Sequence, residues 1–414
     1  MSCYTISPEV ASVYTKLKND PSITTGIAFL ESDATQTVAN QKTLTEIAAP
    51  PFAESTRAAY YLSQLKQLGL TDLQSDSEGS VFGTYKGSGQ GPTLFVSAHL
   101  DTVFPADTDV TVKEIDGRLY APGIADDARG LAAILTVIRA LRQSNIATEG
   151  DIIFGGTVGE EGLGNLRGVK NFFAQQKNID GFITIDGTSP NHITYLATGS
   201  RRYEIIYHGP GGHSFNHFGQ PSATHALGRA ISKIANLVPP TTPKTTFTIG
   251  TITGGTSINS IAEEASMTVD IRSDSEAELK KLEENIIAFA DKAAVEENLR
   301  WNSQDLTVQL KLIGDRPAAS QPKDLMIVQS AWAAADALQL NPALSSAGST
   351  DANYPMSLGI PSLRLGGGGD SGQGHSLGEW FDPTNAFWGP QTIFLTVLGL
   401  VGVKDLTAPL LPHR

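Results

Sequence analysis

Two histidines and a small set of carboxylates carry the chemistry this sequence can do. His99 and Asp101 stand two apart in SAHLDTV, so Asp101 is placed to accept the second imidazole N–H. That contact fixes the tautomer and raises the basicity of a metal-facing nitrogen, although a bare His-x-Asp is equally a polar turn. Asp126 and Asp127 follow in GIADDARG. Adjacent carboxylates before a helix can simply complement its dipole, which suits Asp127 and leaves Asp126 as the candidate ligand. Glu160 and Glu161 form an acidic pair in GTVGEEGLG with no nearby cation. Off the surface such a pair needs a neutralising charge; a metal would supply it for one, and the other would sit beside an activated water as general base. Asp186 in TIDGT and His375 in GHSLGEW complete the set. Two imidazoles and three carboxylates without thiolate suit two zinc-like ions roughly 3.5–4 Å apart, bridged by a carboxylate and a water. Magnesium would use fewer imidazoles.

Each of these residues needs an element to aim it. The apolar runs TLFVSA (93–98), DIIFGGTV (151–158) and GFITID (181–186) read as buried strands, and His99, the Glu pair and Asp186 sit at or just past their carboxyl ends. Ligands bind at that edge of open parallel sheets. RGLAAILTVIRALRQ (129–143) places Leu131, Ile134, Leu135, Ile138 and Leu141 on one helical face. His375 follows the strand-like PSLRLG in a glycine-rich loop that permits close approach. The alternation predicts an α/β fold with a mostly parallel sheet. Between Gly199 and about Asp315 the order becomes β-α-β-β-α-β, with helices near 222–237 and 276–298, which predicts an inserted ferredoxin-like α+β domain. The expected division is 1–199 with 315–414 for the larger domain and 200–314 for the inserted one.

Composition narrows the partners. Thirty Lys and Arg against 43 Asp and Glu give a formal charge of −13, a field that repels phosphate backbones and anionic lipid. No nucleic-acid or membrane partner is expected. Cys3 is the only cysteine, so neither an internal disulfide nor a thiolate cluster can form. The apolar stretch from Ile393 to Val403 is too short to span a bilayer and reads as a buried helix. With no apolar leader-like segment near Met1, a cytoplasmic location is expected.

Taken together, the motifs resemble the co-catalytic zinc peptidases and amidohydrolases that include peptidase T, the glutamate carboxypeptidases, aminoacylase and acetylornithine deacetylase. The resemblance runs in order from about Leu44 to Asp382. It implies His99 and Asp186 on one zinc, Glu161 and His375 on the other, Asp126 bridging, Glu160 as general base and Asp101 supporting His99; Co2+ or Mn2+ are alternatives to Zn2+. It also implies that the inserted domain is a lid and dimerisation domain. There GPGGHS would send His213 to the partner subunit's site to polarise the scissile carbonyl, while Asn259 in GGTSINSIAEEA and Arg272 in VDIRS would hold a substrate carboxylate. One departure is Ala128-Arg129, where many members carry Lys. His192, His208, His217, His225 and His413 match no ligand motif. The implied activity is amide hydrolysis by a homodimer on short peptides or N-acyl amino acids. The TIDG segment favours a peptidase T-like aminopeptidase or di/tripeptidase over a carboxypeptidase or N-acyl-amino-acid deacylase, and a catalytically dead binding or scaffold relative is the rival outside enzymes.

Overall fold

A computed structural model describes residues 4–414; Cys3 lies outside them. The chain divides into two compact units. One takes the chain up to Ala197 and again from Ser320 to Arg414, the other Thr198–Ala319. The boundaries fall within a few residues of 199/200 and 314/315.

In the first unit a six-stranded sheet runs in the order Thr71–Ser75, Val81–Tyr85, Asp151–Thr157, Thr93–His99, Gly181–Ile185, Ser362–Leu365. The last four strands are mutually parallel, whereas Val81–Tyr85 and Thr71–Ser75 pair antiparallel. Thr93–His99 is buried along almost its whole length, which explains its near-continuous apolar run: both faces of the sheet are covered. Against the sheet lie Ala128–Gln143 and Trp388–Val401, two helices whose inward residues are fully buried. The apolar segment read as a buried helix is therefore one, and among the described residues no helix is long and apolar enough to cross a membrane.

Four helices precede the sheet: Pro8–Asn19, Pro21–Ser32, Ala34–Glu46 and Ser55–Gln67. The first two start with Pro in the first turn, behind Ser7 and Asp20, whose side chains accept N-terminal amides.

The second unit is an antiparallel sheet in the order Thr245–Gly254, Glu264–Ser273, Gly199–His208, Thr307–Arg316. Helices Ala223–Ala235 and Glu276–Arg300 pack on it. With both helices as crossovers, this is the ferredoxin-like arrangement.

Candidate metal centre

The site grows out of strand register. His99 is the last residue of Thr93–His99 and pairs with Thr157, the last of Asp151–Thr157, while Ser97 pairs with Thr184 near the end of Gly181–Ile185. Three adjacent parallel strands thus end level with one another, and the residues that follow them, Glu160, Glu161 and Asp186, emerge along one edge with His99. Asp126 arrives from the loop before Ala128–Gln143. The Asp126–Asp127 peptide is cis, and Asp127 caps the helix by accepting the Gly130 amide while also taking the His99 amide. His375 comes from the turn between Asp370–Gly372 and Trp380–Asp382. That pair belongs to a small antiparallel sheet with Arg118–Tyr120, and the sheet carries the turn up to the 121–126 segment. His375 has a φ of 63°, the left-handed region in which a non-glycine residue is strained.

The structure brings the five residues together in two groups that share Asp126. Ligand-type atoms of His99, Asp126 and Asp186 lie within 4.8 Å of one another, as do those of Asp126, Glu161 and His375. His99 Nε2 is 2.9 Å from Asp126 Oδ1, and His375 Nε2 is 2.9 Å from Oδ2 and 3.0 Å from Glu161 Oε1. One carboxylate therefore reaches two imidazoles, one through each oxygen. Glu160 falls in a third group with His99 and Glu161.

Electrostatics bear on what the cluster could hold. Burial pushes the Glu161 carboxyl up to about 7, with Asp126 and Asp101 adding to it. The hydrogen bond to Asp126 lifts His375 to about 9. Burial opposes a charged His99, yet Asp101 and Asp126 outweigh it and hold the imidazole well above its ordinary value. Burial would likewise raise Asp126, but His375 and His99 keep it below the usual carboxylate range. The carboxylates thus concentrate negative charge around both rings, which positive charge would balance. Divalent cations would supply the same charge and leave the imidazoles neutral, the form in which they coordinate. The donor set fits such ions.

Asp101 plays a different part from the one read in the sequence. His99 Nδ1 is 2.9 Å from the Asp101 carbonyl and 3.7 Å from its carboxylate. The carboxylate instead accepts the amides of Glu160 at 3.2 Å and Glu161 at 2.8 Å, so it shapes the Glu-Glu turn, while the main chain orients the ring.

Several supporting residues escaped the sequence reading. Glu379, buried, accepts the amides of Gly123, Ala125 and Asp126 at 2.9–3.0 Å, gripping the backbone that presents Asp126. Arg57, also buried, donates to the carbonyls of Leu100 and Ile47 at 2.8 Å and fixes the link between His99 and Asp101. Arg129, within the Ala128-Arg129 pair that departs from the relatives' Lys, donates to the carbonyls of Gly367 and Ala386 at 2.7 Å and anchors the base of the glycine-rich loop. Arg364 Nε takes the Asp186 carbonyl at 2.9 Å and Nη2 lies 3.3 Å from its carboxylate.

The second unit carries the other three candidates, and it separates them. His213 pairs with Ser260 in a two-residue ladder, and the Asn259 carbonyl accepts the Ser214 amide at 2.9 Å, so His213 and Asn259 share one corner. Both are exposed. That corner adjoins the Glu264 end of the strand Glu264–Ser273, since Gly209 bonds Glu263 and Glu264 pairs with His208. Arg272 lies eight residues along the strand, opposite Ser200, and a strand rise of ~3.3 Å per residue puts ~26 Å between the ends. Its Nε donates to Asp270 at 2.8 Å.

Known proteins agree with this architecture. The chain is 28% identical over 316 residues to the Bacillus subtilis protein YqjE, covering 73% of this chain and 80% of that one. It is 26% identical over 312 residues to a succinyl-diaminopimelate desuccinylase of Methylobacillus flagellatus, covering 70% and 79%. A Staphylococcus aureus tripeptidase of known structure superposes with a TM-score of 0.72 at 23% identity, over 88% of this chain and 97% of that one. Residues 95–393 match the family described as Peptidase family M20/M25/M40, and the chain, a hydrolase by that kinship, belongs to it.

Proposed function

We propose that the protein is a dinuclear-zinc aminopeptidase or di/tripeptidase acting on short peptides in the cytoplasm. The observation that carries this is the pair of donor groups sharing Asp126, with Glu160 beside them. In this reading His99, Asp126 and Asp186 hold one ion and Asp126, Glu161 and His375 the other; when bound, the two ions would acidify a water and polarise the amide carbonyl. Glu160 takes the proton of the attacking water and returns it to the leaving amine. Zinc is preferred over Co2+ or Mn2+ on the imidazole-carboxylate donor set. The tripeptidase likeness supports a peptidase; the desuccinylase relative supports the second reading, an N-acyl-amino-acid deacylase or carboxypeptidase, which the same residues would serve. A single cysteine is compatible with the reducing cytoplasm.

The proposal includes a homodimer. His213 and Asn259 share a corner near the Glu264 end of the strand Glu264–Ser273, and Arg272 lies ~26 Å along that strand from Glu264, which favours bringing the three to one substrate from two copies, Arg272 from one and His213 and Asn259 from its partner. Further support comes from exposed apolar side chains around that corner, Phe215 at 84% and Ile258 at 103%, of the kind an assembly covers. The edge strand Thr245–Gly254 is paired on one side only and offers a second surface.

The test is hydrolysis by the zinc-loaded protein of tripeptides, their N-acetylated and C-amidated forms, and N-acyl amino acids. Loss of turnover on blocking the amine selects the aminopeptidase. Loss on blocking the carboxylate selects the carboxypeptidase or deacylase, and no cleavage of any substrate sinks the amidohydrolase reading.

A further inference from the structure

Beside Asp186 the first unit holds a half-open polar cavity of about 180 Å³. Its walls include Thr188, Ser189, His192, Ser345, Ser346 and Arg364; of its lining, only Asp186 and Arg364 carry formal charge. Arg364 turns one edge to Asp186, through Nε and Nη2. Its Nη1 donates to no described residue, and the side chain remains 36% exposed. Gly348 leaves the space beside that nitrogen open, since a Cβ there would come into van der Waals contact with Nη1 at 3.9 Å. Among the described residues the hydroxyls of Ser345 and Ser346 on the same lining have no side-chain partner either. A guanidinium that spends one edge on Asp186 and presents unused N–H groups to a hydroxyl-lined cavity is a carboxylate receptor: it stays charged at all physiological pH, and its planar fork matches a carboxylate.

We propose that this cavity is a substrate subsite and that Arg364 makes it selective for a carboxylate on the group seated there, either an acidic amino-acid side chain or a dicarboxylic acyl group. The proposal rests on the amidohydrolase reading, since Asp186 links the cavity to the proposed reaction centre. It is distinct from the terminal carboxylate assigned to Arg272 and Asn259. Seen from the substrate, neutral residues leave Arg364 Nη1 desolvated without a partner, whereas an acid satisfies it. Selection therefore comes from both the gain and the penalty.

The measurement is the ratio of kcat/KM within substrate pairs matched except for charge: Glu against Gln in otherwise identical tripeptides, and N-succinyl against N-acetyl amino acids. Wild type should favour the acid by tenfold or more in at least one pair, and which pair responds identifies the source of the carboxylate. Arg364→Met should collapse that ratio about tenfold or more, whatever it does to absolute rates, and Arg364→Lys should restore it in part. No acid preference in wild type overturns the proposal. So does an unchanged ratio in Arg364→Met with both members slowed alike, which would leave Arg364 a positioning residue for Asp186. If wild type cleaves none of the panel, calorimetric binding of L-glutamate against L-glutamine separates the two failures. Preferential glutamate binding that Arg364→Met abolishes upholds the subsite alone, and equal binding rejects it.

Discussion

Burial makes the individual carboxylates informative. Glu160 and Glu161 are 6% and 7% exposed, and a carboxylate at that depth is costly unless bonded or neutralised. For Glu161 the bonded companion is His375, while neighbouring Asp126 adds repulsion that a shared cation would relieve. For Glu160 the proposed task is proton transfer, and Glu160→Gln separates the two roles. It should keep bound metal at the wild-type ratio by elemental analysis and lose about 10²–10⁴-fold in kcat, the usual weight of a positioned acid-base. Near-normal turnover would move the base elsewhere, with Glu161 first in line. Glu379 acts through Asp126. Its two oxygens serve three amides, and Glu379→Gln would turn one oxygen into a donor facing donors. Metal affinity, read by chelator competition, should fall about 10–100-fold, the usual range for groups that orient ligands. Unchanged affinity would mean that the 121–126 segment holds its shape without Glu379.

Among the elements, the strands that end at the site and the helices that brace it differ in how much their local sequence reveals. Apolar runs interrupted by His99, Glu160 or Asp186 announce themselves, because a parallel strand is apolar throughout and its carboxyl end is where polarity resumes. Arg57, Arg129 and Glu379 gave no such signal. Their partners are main-chain carbonyls and amides far away in sequence, and a hydrogen bond to backbone leaves no side-chain pattern to read. Arg272 and Asn259 lie close in sequence, but the extended strand Glu264–Ser273 carries Arg272 away from the corner that holds Asn259, a separation that sequence spacing does not reveal. The second unit has a comparable hidden support in Glu297 on the helix Glu276–Arg300. Its side chain is fully buried and accepts from the Ser222 amide, Arg229 Nε and Trp301 Nε1 at 2.9–3.1 Å, tying that helix to the start of Ala223–Ala235. Burial works to raise its pKa, but these donors more than offset it and the net shift is downward. A depressed carboxylate stabilises the fold above its unfolded value and loses that contribution as pH falls through the folded one. Glu297→Gln should therefore cost about 1–3 kcal/mol at pH 7, with the gap to wild type in urea melts narrowing as pH drops below ordinary carboxylate values. A gap that stays constant with pH would show that packing alone, without the charge, holds the two helices.

At the scale of the whole molecule the decisive question is whether one chain makes a complete site. The first unit contains every proposed metal ligand and Glu160, whereas His213 and Asn259 occupy the corner of the second unit opposite Arg272. A two-fold dimer would exchange these corners reciprocally, because each copy gives what it receives. The exposed Phe215 and Ile258 would then sit at a contact rather than in water. Mixing His213→Ala and Glu160→Gln, each expected to be inactive in the proposed homodimer, tests this directly. Each homodimer has two defective sites. A mixed dimer contains one site with both defects and one with neither, the latter formed by Glu160 of the His213→Ala chain and His213 of the Glu160→Gln chain. With random exchange of equal amounts, half the dimers are mixed and half their sites are intact, so activity should recover to about a quarter of wild type. Exchange is monitored independently by mass spectrometry of differently tagged chains. Full exchange without recovery would place His213 in its own subunit's chemistry, and full activity of His213→Ala by itself would put His213 outside the reaction altogether.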